Sequence, residues 1–282
     1  MTGFININKE EGVSSAKEVA RVKRLTGTPC GHLGTLDPMA SGVLPIAIGN
    51  SARLFDYFLN KRKTYIATFR FGEDYDTLDT TGMLLQSGGK IPDKATIEKV
   101  IPTLVGDIMQ VPPNYSAKCI NGKRGYQLAR QGVQFTLQPK KVSIHSIKLL
   151  EQVDEQSFSF EIECGSGTYI RSIARDMAET LGTYGAMSAL ERCASGPFTL
   201  DNSVKSDELT PDNIDKYLIP TDSLLPFDSY FAEGKVAKRL LNGLTADCGL
   251  DDGTYKLYFG ERSFYGLAVV ENGLMKVRTK LC

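Results

Sequence analysis

The segment over residues 31–42, GHLGTLDPMASG, constrains the fold more tightly than any other part of this sequence. Its glycines accept left-handed backbone angles and allow another chain to approach closely. Pro38 fixes its own φ angle and biases the preceding residue, Asp37, away from helical geometry. The segment therefore predicts a rigid, open loop that presents Asp37 to a large partner. An aspartate in such a loop more often forms a turn, so a functional role needs support from elsewhere in the chain.

Length and composition predict one large domain, or a large domain with a small appendage. The chain has 282 residues, of which 41% are hydrophobic, and a formal net charge of zero. Neutrality counts only mildly against nucleic-acid binding, because local patches determine such binding. The six cysteines form no C-x-x-C pair and show no zinc-ligand spacing. Without an export signal or a long apolar run, the chain is expected to be a reduced cytoplasmic protein with no membrane span.

Periodicity divides the chain into alternating strands and helices. Alternation and short apolar runs predict strands over residues 4–8, 42–48, 65–71, 142–150 and 158–164. Helices are predicted over residues 15–26, 95–104, 172–181 and 184–192. Ser15 and Glu18 have the spacing of a capping box, and Gly27 is a suitable end for the first helix. The acidic, turn-rich segment over residues 72–82 predicts a loop, and a domain boundary is expected near residues 228–233.

A long basic segment interrupts the regular elements over residues 111–138. Its basic residues are Lys118, Lys123, Arg124 and Arg130, and Lys140 and Lys141 follow it. A basic excursion of this length is usually either a functional loop or a disordered one.

Two further residues are candidates for chemistry beside Asp37. Tyr65 follows a basic run and begins a strand, so its ring either stacks on a base or packs in the core. Arg171 follows the glycine-rich turn GSGTY, where a guanidinium either lies at the surface or pairs with a carboxylate and keeps it ionised. No Ser-His-Asp arrangement, P-loop or dinucleotide fingerprint is present. The pattern favours a mechanism with one essential carboxylate, Asp37.

Taken together, the motifs resemble those of the bacterial tRNA pseudouridine-55 synthases, the TruB family. In chain order they are INKEEGVSS, GHLGTLDPMASGVLPIAIG, KRKTY, PPNYSAKCINGKRGYQLAR and GSGTYIRSIARDMAETLG. The resemblance implies an α+β fold, with a mixed, mainly antiparallel sheet flanked by helices and loops, over residues 1–228. It also implies a small, β-rich, PUA-like RNA-binding domain over residues 229–282 and an RNA-gripping insertion over about residues 109–141.

The resemblance assigns the three candidates to catalysis. Asp37 matches the catalytic aspartate, and Arg171 matches the arginine that pairs with it. Tyr65 matches the tyrosine that stacks on the target base and is a candidate for accepting the proton from its C5 atom.

The resemblance also implies a set of substrate-binding residues. Tyr169 and Leu190 match residues of the target-base pocket, and His32 matches the histidine that holds the rearranged T loop. The remaining implied RNA contacts are Lys9 in the first motif, and Lys123 and Arg124 in the insertion. Glu10 stands where the family usually has proline, and Glu191 where it often has arginine. Both departures concern RNA contacts rather than chemistry.

The implied activity is isomerisation of uridine 55 in the T loop of tRNA, by a cytoplasmic monomer that binds the T arm. The target base must leave its stack before it reacts. Asp37 either attacks C1′ or removes a ribose proton to give a glycal, and the sequence leaves both routes open. The rearrangement is redox neutral, so no metal or organic cofactor is expected. A non-catalytic RNA chaperone and a nucleoside glycosidase that releases free uracil are the alternatives.

Overall fold

The computed structural model describes residues 1–115, 119–120, 123–124, 137–260 and 263–281. The first strands are β1 (Gly3–Lys9), β2 (Cys30–His32), β3 (Ser41–Ile48), β4 (Lys63–Phe71), β5 (Glu73–Tyr75), β6 (Leu84–Ser87), β7 (Gly106–Gln110), β8 (Cys119–Ile120) and β9 (Lys123–Arg124). They are followed by β10 (Lys140–Gln152), β11 (Ser157–Cys164), β12 (Gly185–Ser195), β13 (Phe198–Thr199), β14 (Val204–Lys205), β15 (Ser229–Ala232), β16 (Ala246–Asp247), β17 (Gly253–Phe259), β18 (Ser263–Glu271) and β19 (Leu274–Lys280). The helices are α1 (Ser15–Thr26), α2 (Phe55–Leu59), α3 (Lys94–Val100), α4 (Ile170–Thr180) and α5 (Gly234–Leu241). In this part of the chain, no helix is both long and apolar enough to cross a membrane.

A ten-stranded mixed sheet forms the larger part of the fold. Its main path runs β14-β1-β3-β12-β4-β11-β10-β7, with β2 beside β3 and β13 beside β12. The pairs β1–β14 and β3–β12 are parallel, and the other neighbours in this sheet are antiparallel. The predicted α+β class with a mixed, mainly antiparallel sheet is therefore confirmed, and the five predicted strands are present with shifted ends.

A second sheet of five strands has the order β15-β17-β18-β19-β16. Its own apolar core includes Leu257 and Met275. A separate apolar cluster joins it to the large sheet, because Leu267 and Leu281 pack with Phe4 and other residues of the N-terminal strands. The C-terminal β-rich unit thus rests directly on the large sheet. The boundary near residue 228 stays a prediction.

The segment predicted as a helix over residues 184–192 is instead the strand β12. Its alanines, Met187 and Leu190 favour a helix by local propensity. Hydrogen bonds to β4 along its whole length, and to β3 at one end, outweigh that preference. As a strand, β12 places Leu190 and Arg192, two residues apart, beside Tyr65 of β4.

Two smaller predictions also need correction. The N-cap of α1 is Ser14, whose hydroxyl accepts a hydrogen bond from the Lys17 N–H, so Ser15 is not the cap. The acidic segment is only partly a loop, because it contains β5, which pairs with β6. The predicted end of α1 is confirmed by the left-handed φ of 63° at Gly27.

Gly42 lies where β3 meets β12, in register with Arg192. Its φ is +96°, and an added Cβ would approach the Arg192 backbone nitrogen to 2.9 Å and the carbonyl oxygen more closely still. Such a contact is shorter than packed atoms allow, so only glycine fits between these strands.

We expect Gly42→Ala to lower the free energy of unfolding by about 3 kcal/mol or more, from backbone strain together with the clash between strands. Gly27→Ala is the matched control, since Gly27 also has positive φ but no atom within 4 Å of the added Cβ. That variant should lose only about 1 kcal/mol. Urea unfolding measures both, and equal losses would contradict the role of close strand approach.

Candidate active site

A cavity of about 450 Å³ lies beside the loop that carries Asp37. It is bounded by this loop, by α2, by the first residues of β4, by the turn over residues 165–169 that leads into α4, and by β12. Segments distant in the sequence thus converge on one space. The predicted site residues that line it are His32, Asp37, Tyr65, Tyr169, Arg171 and Leu190.

Asp37 and Arg171 form an ion pair, as the sequence led us to expect. The Arg171 Nη2 atom lies 2.9 Å from the Asp37 Oδ2 atom. The Arg171 side chain is 7% exposed, while that of Asp37 is 39% exposed. The carboxylate is therefore open to the cavity, and the guanidinium supports it from the buried side, where charges interact more strongly than in water.

Arg171 is itself held by groups from the acidic segment and the basic segment. Its Nη1 atom lies 3.4 Å from the Asp79 Oδ2 atom and donates to the Thr77 carbonyl oxygen at 2.8 Å. Its Nη2 atom also donates to the Tyr115 carbonyl oxygen at 3.0 Å. These contacts satisfy the guanidinium on several sides, so its orientation toward Asp37 is fixed.

Asp79 is a second carboxylate at the site, which the sequence analysis missed. Its side chain is only 6% exposed. The Oδ1 atom accepts hydrogen bonds from the Thr77 hydroxyl, the Thr81 N–H and the Thr81 hydroxyl, so the carboxylate is fully engaged. The available signal was an aspartate between threonines, TLDTT, which forms such local bonds readily.

Tyr65 is buried against Arg192 at the cavity. Arg192 is 1% exposed, and its Nε and Nη2 atoms donate to the carbonyl oxygens of Val43 and Gly34 at 2.7 and 3.1 Å. Burial raises the pKa of the Tyr65 phenol, while the charge and hydrogen bond of Arg192 oppose that rise. The ring therefore meets the cavity as a neutral phenol at neutral pH.

The loop carrying Asp37 is anchored from behind by Ser15 and Lys9. The Ser15 hydroxyl donates to the Leu36 carbonyl oxygen at 2.8 Å and accepts from the Leu36 N–H at 2.9 Å. The Lys9 ammonium donates to the carbonyl oxygens of Glu10, Val13 and Pro38. Lys9 is fully buried, and these bonds support the loop. The substrate contact predicted for Lys9 stays a prediction.

The backbone of Tyr169 is fixed by the side chain of Gln110, at the end of β7. The Tyr169 N–H donates to Gln110 Oε1 at 2.9 Å, and Gln110 Nε2 donates to the Tyr169 carbonyl oxygen at 3.2 Å. Gln110 is 1% exposed, and the sequence analysis missed it. The roles predicted for His32, Tyr169 and Leu190 stay predictions. Lys123 and Arg124 form β9, whose side chains lie outside the described residues.

Burial also affects two lysines near the cavity. Burial and, to a smaller extent, the neighbouring charge of Arg192 lower the pKa of Lys63 to about 8. Burial lowers the pKa of Lys9 to about 8 as well, although nearby carboxylates oppose the shift. The Lys63 ammonium is bound by the carbonyl oxygens of Leu59 and Lys61.

Comparison with known proteins identifies relatives of this chain. Residues 21–170 match the family described as TruB family pseudouridylate synthase (N terminal domain). Residues 171–228 match the domain described as tRNA pseudouridylate synthase B C-terminal domain.

Individual relatives match over nearly the full chain. The tRNA pseudouridine synthase B of Clostridium novyi is 37% identical over 289 aligned residues that cover 100% of both chains. That of Clostridium acetobutylicum is 38% identical and covers 95% of each chain. A solved H/ACA ribonucleoprotein bound to a substrate RNA containing 2′-deoxyuridine has a chain that superposes with a TM-score of 0.71. It is 20% identical, over 99% of this chain and 85% of that one, which shows a shared fold alone.

The two carboxylates on Arg171 should differ in their effect on stability. We expect Asp79→Asn to lower the free energy of unfolding by about 3 kcal/mol, because it removes the buried negative partner of Arg171. It also places an amide N–H group against the donors of Thr77 and Thr81. Asp37→Asn should change the free energy of unfolding by less than about 1 kcal/mol, since Asp37 is more exposed. Chemical unfolding of both variants at pH 7 checks this, and equal effects would contradict the separate roles.

The lowered pKa of Lys63 predicts a pH dependence of stability. Above pH 8 the folded protein releases this proton, while the unfolded chain holds it up to about pH 10.4. The unfolded state then binds more protons at this group, so the contribution of Lys63 to the free energy of unfolding should rise with pH. Relative to Lys63→Met, the rise should be about 1 kcal/mol per pH unit between pH 8 and 10. A constant difference between the two unfolding free energies across this range would contradict it.

Proposed function

This chain belongs to the TruB family of pseudouridylate synthases, and we propose that the uridine it isomerises to pseudouridine is uridine 55 in the T loop of tRNA. The isomerisation of uridine in tRNA follows from its full-length similarity to enzymes named tRNA pseudouridine synthase B. The observation that carries the assignment of the site is the Asp37–Arg171 ion pair at an open cavity.

The target uridine must first leave its stack and enter the cavity. Extrusion of a base costs a few kcal/mol, which contacts in the pocket offset. Stacking on the ring of Tyr65 contributes about 1–3 kcal/mol, and the apolar surface of Leu190 adds to it. Tyr169 completes the lining beside the base, while His32 holds the part of the T loop that the base has left. These roles are supported by the position of all four residues at the cavity.

The ionised carboxylate of Asp37 then starts the reaction at the ribose. In one route it attacks C1′, and the electron pair of the C1′–N1 bond leaves with the uracil. In the other it removes a ribose proton as that bond breaks, which gives a glycal. In both routes the uracil turns within the cavity and C5 bonds to C1′. In the first route this bond displaces the Asp37 oxygen from C1′, and in the second Asp37 returns its proton to the ribose. The C5 proton then departs, and N1 gains a proton. Arg171 supports both routes, because its guanidinium lies 2.9 Å from the Asp37 carboxylate and orients it toward the cavity.

Tyr65 accepts the C5 proton in this proposal, and its environment limits how. A phenol with a raised pKa is a poor base until it loses its own proton. The hydrogen bond from Arg192 favours the deprotonated oxygen and lowers that barrier. Stacking on the base requires no ionisation, so the ring contributes at every stage.

The wider assignment is also a proposal. Residues 1–228 form the catalytic domain, and residues 229–282 form a PUA-like domain that binds RNA. In this proposal the enzyme binds the T arm as a monomer. It acts in the cytoplasm, where its tRNA substrate is found.

We expect Asp37→Asn to abolish tritium release from tRNA labelled at uridine C5, because the variant has no carboxylate to act at C1′ or on a ribose proton. Binding of tRNA should persist, because Arg171 remains held by Asp79. Asp76→Asn is the control. Asp76 lies near Asp79 in the acidic segment, but it accepts hydrogen bonds from the Met83 N–H and the Tyr115 hydroxyl instead of pairing with Arg171.

Three outcomes would overturn parts of the proposal. Tritium release by Asp37→Asn at the wild-type rate would exclude Asp37 as the catalytic group. Free uracil in the reaction mixture would indicate a glycosidase, and tRNA binding with no pseudouridine formed by the wild type would indicate an RNA chaperone. Mapping of pseudouridine in tRNA from cells with and without this protein tests position 55.

A further inference from the structure

Four lysine or arginine side chains line the cavity, and three of them are already engaged. They are Lys63, Lys140, Arg171 and Arg192. Arg171 pairs with two aspartates, Arg192 bonds two carbonyl oxygens and the Tyr65 phenol, and Lys63 bonds two carbonyl oxygens. Among the described residues, Lys140 has no hydrogen-bond or ion-pair partner for its ammonium. It is thus the cation at this cavity that is available to a ligand.

The ammonium of Lys140 lies beside Gly167, in the turn that leads to α4. A Cβ atom added to Gly167 would lie 3.6 Å from Lys140 Nζ, which is an ordinary packing contact. Gly167 has a φ of +81°, so the backbone of the turn disfavours a larger residue there. Lys140 itself is exposed while it lines the cavity, which places its charge where the cavity meets solvent.

The backbone that carries Lys140 is fixed relative to the base pocket. Lys140 pairs with Gln110 across β10 and β7, and the Gln110 side chain holds both backbone groups of Tyr169. The glycine-rich turn is fixed to the same strand, because the Gly165 N–H donates to the Ser143 carbonyl oxygen at 2.8 Å. The charge is therefore placed by rigid strands rather than by a free loop.

The neighbouring Lys141 shows the contrast. Successive residues of a strand point to opposite faces, so Lys141 points away from the cavity. Its ammonium lies 2.9 Å from the Asp107 Oδ2 atom, and its side chain is 69% exposed. An ammonium group that already pairs with a carboxylate, as in Lys141, binds a polyanion more weakly than the unpaired ammonium of Lys140.

We propose that Lys140 binds a phosphodiester group adjacent to the flipped uridine, an inference that rests on the proposed function. When a base is extruded into a pocket, its sugar and flanking phosphates remain at the mouth. A phosphate is the anionic group of RNA that a lysine ammonium pairs with, and such a contact positions the nucleic acid without reading its sequence. Lys140 thereby fixes the distance between the ribose of the target uridine and the Asp37 carboxylate.

The first test compares Lys140→Ala with Lys148→Ala in tRNA binding at several salt concentrations. Lys148 lies on the same strand, and its ammonium is already paired with Glu161 at 2.8 Å. We expect Lys140→Ala to weaken binding about tenfold and to reduce the slope of log K against log salt by about 0.9, as loss of one phosphate contact requires. Lys140→Arg should retain both values. Lys148→Ala should match the wild type.

The second test locates the phosphate. A T-arm stem-loop RNA is made with one neutral methylphosphonate in place of the phosphate either 5′ or 3′ to the target uridine. The nucleotide on the 5′ side of that methylphosphonate carries a 2′-O-methyl ribose. The reference RNA has the same sugar and a normal phosphate. One of the two neutral linkages should weaken wild-type binding about tenfold and leave Lys140→Ala unaffected, because that variant has already lost the contact.

Two results would overturn the inference. Equal affinities and equal salt slopes for Lys140→Ala and Lys148→Ala would exclude a phosphate contact by Lys140. The same conclusion would follow if each neutral linkage weakened RNA binding equally for the wild type and for Lys140→Ala. If the wild type still converts uridine to pseudouridine, only the role of Lys140 fails. A wild type that forms no pseudouridine would instead overturn the proposed function, and this inference with it.

Discussion

The guanidinium of Arg171 is the group on which the rest of the site depends. It bridges an exposed carboxylate, Asp37, and a buried one, Asp79, and it also bonds backbone carbonyl oxygens of two separate segments. A buried arginine is tolerated only when its donors are satisfied, so these contacts stabilise the charge as well as orient it. The same arrangement places a guanidinium against the carboxylate of Asp37 where that carboxylate faces the cavity.

A second buried arginine, Arg192, forms part of the cavity wall. Arg192 stands in the middle of the large sheet, in register with Tyr65 on one side and Gly42 on the other. Its side chain bonds the carbonyl oxygen of Gly34, in the loop that carries Asp37. Tyr65 and the loop that carries Asp37 are therefore positioned by one side chain, and the register of three strands determines the distance between them.

Much of this could be predicted from the sequence, and the failures have a common physical cause. Glycine, proline and alternation are local signals, so the loop at Asp37 and the strand at Tyr65 were predicted correctly. The strand β12 was not, because its pairing with β4 overrides its helical propensity. Asp79 and Gln110 were missed because their roles depend on contacts with α4 and the residue before it, about sixty to ninety positions away in the chain.

The attachment of the basic segment has a mechanical consequence. At the start of this segment, the Val111 carbonyl oxygen accepts hydrogen bonds from Ser172 and Arg175, and that of Tyr115 accepts one from Arg171. A pull on the segment by a large ligand is thus transmitted to the first turns of α4, and through Arg171 to the carboxylate of Asp37. The position of the Asp37 carboxylate is therefore coupled to the position of the basic segment, because Arg171 contacts both.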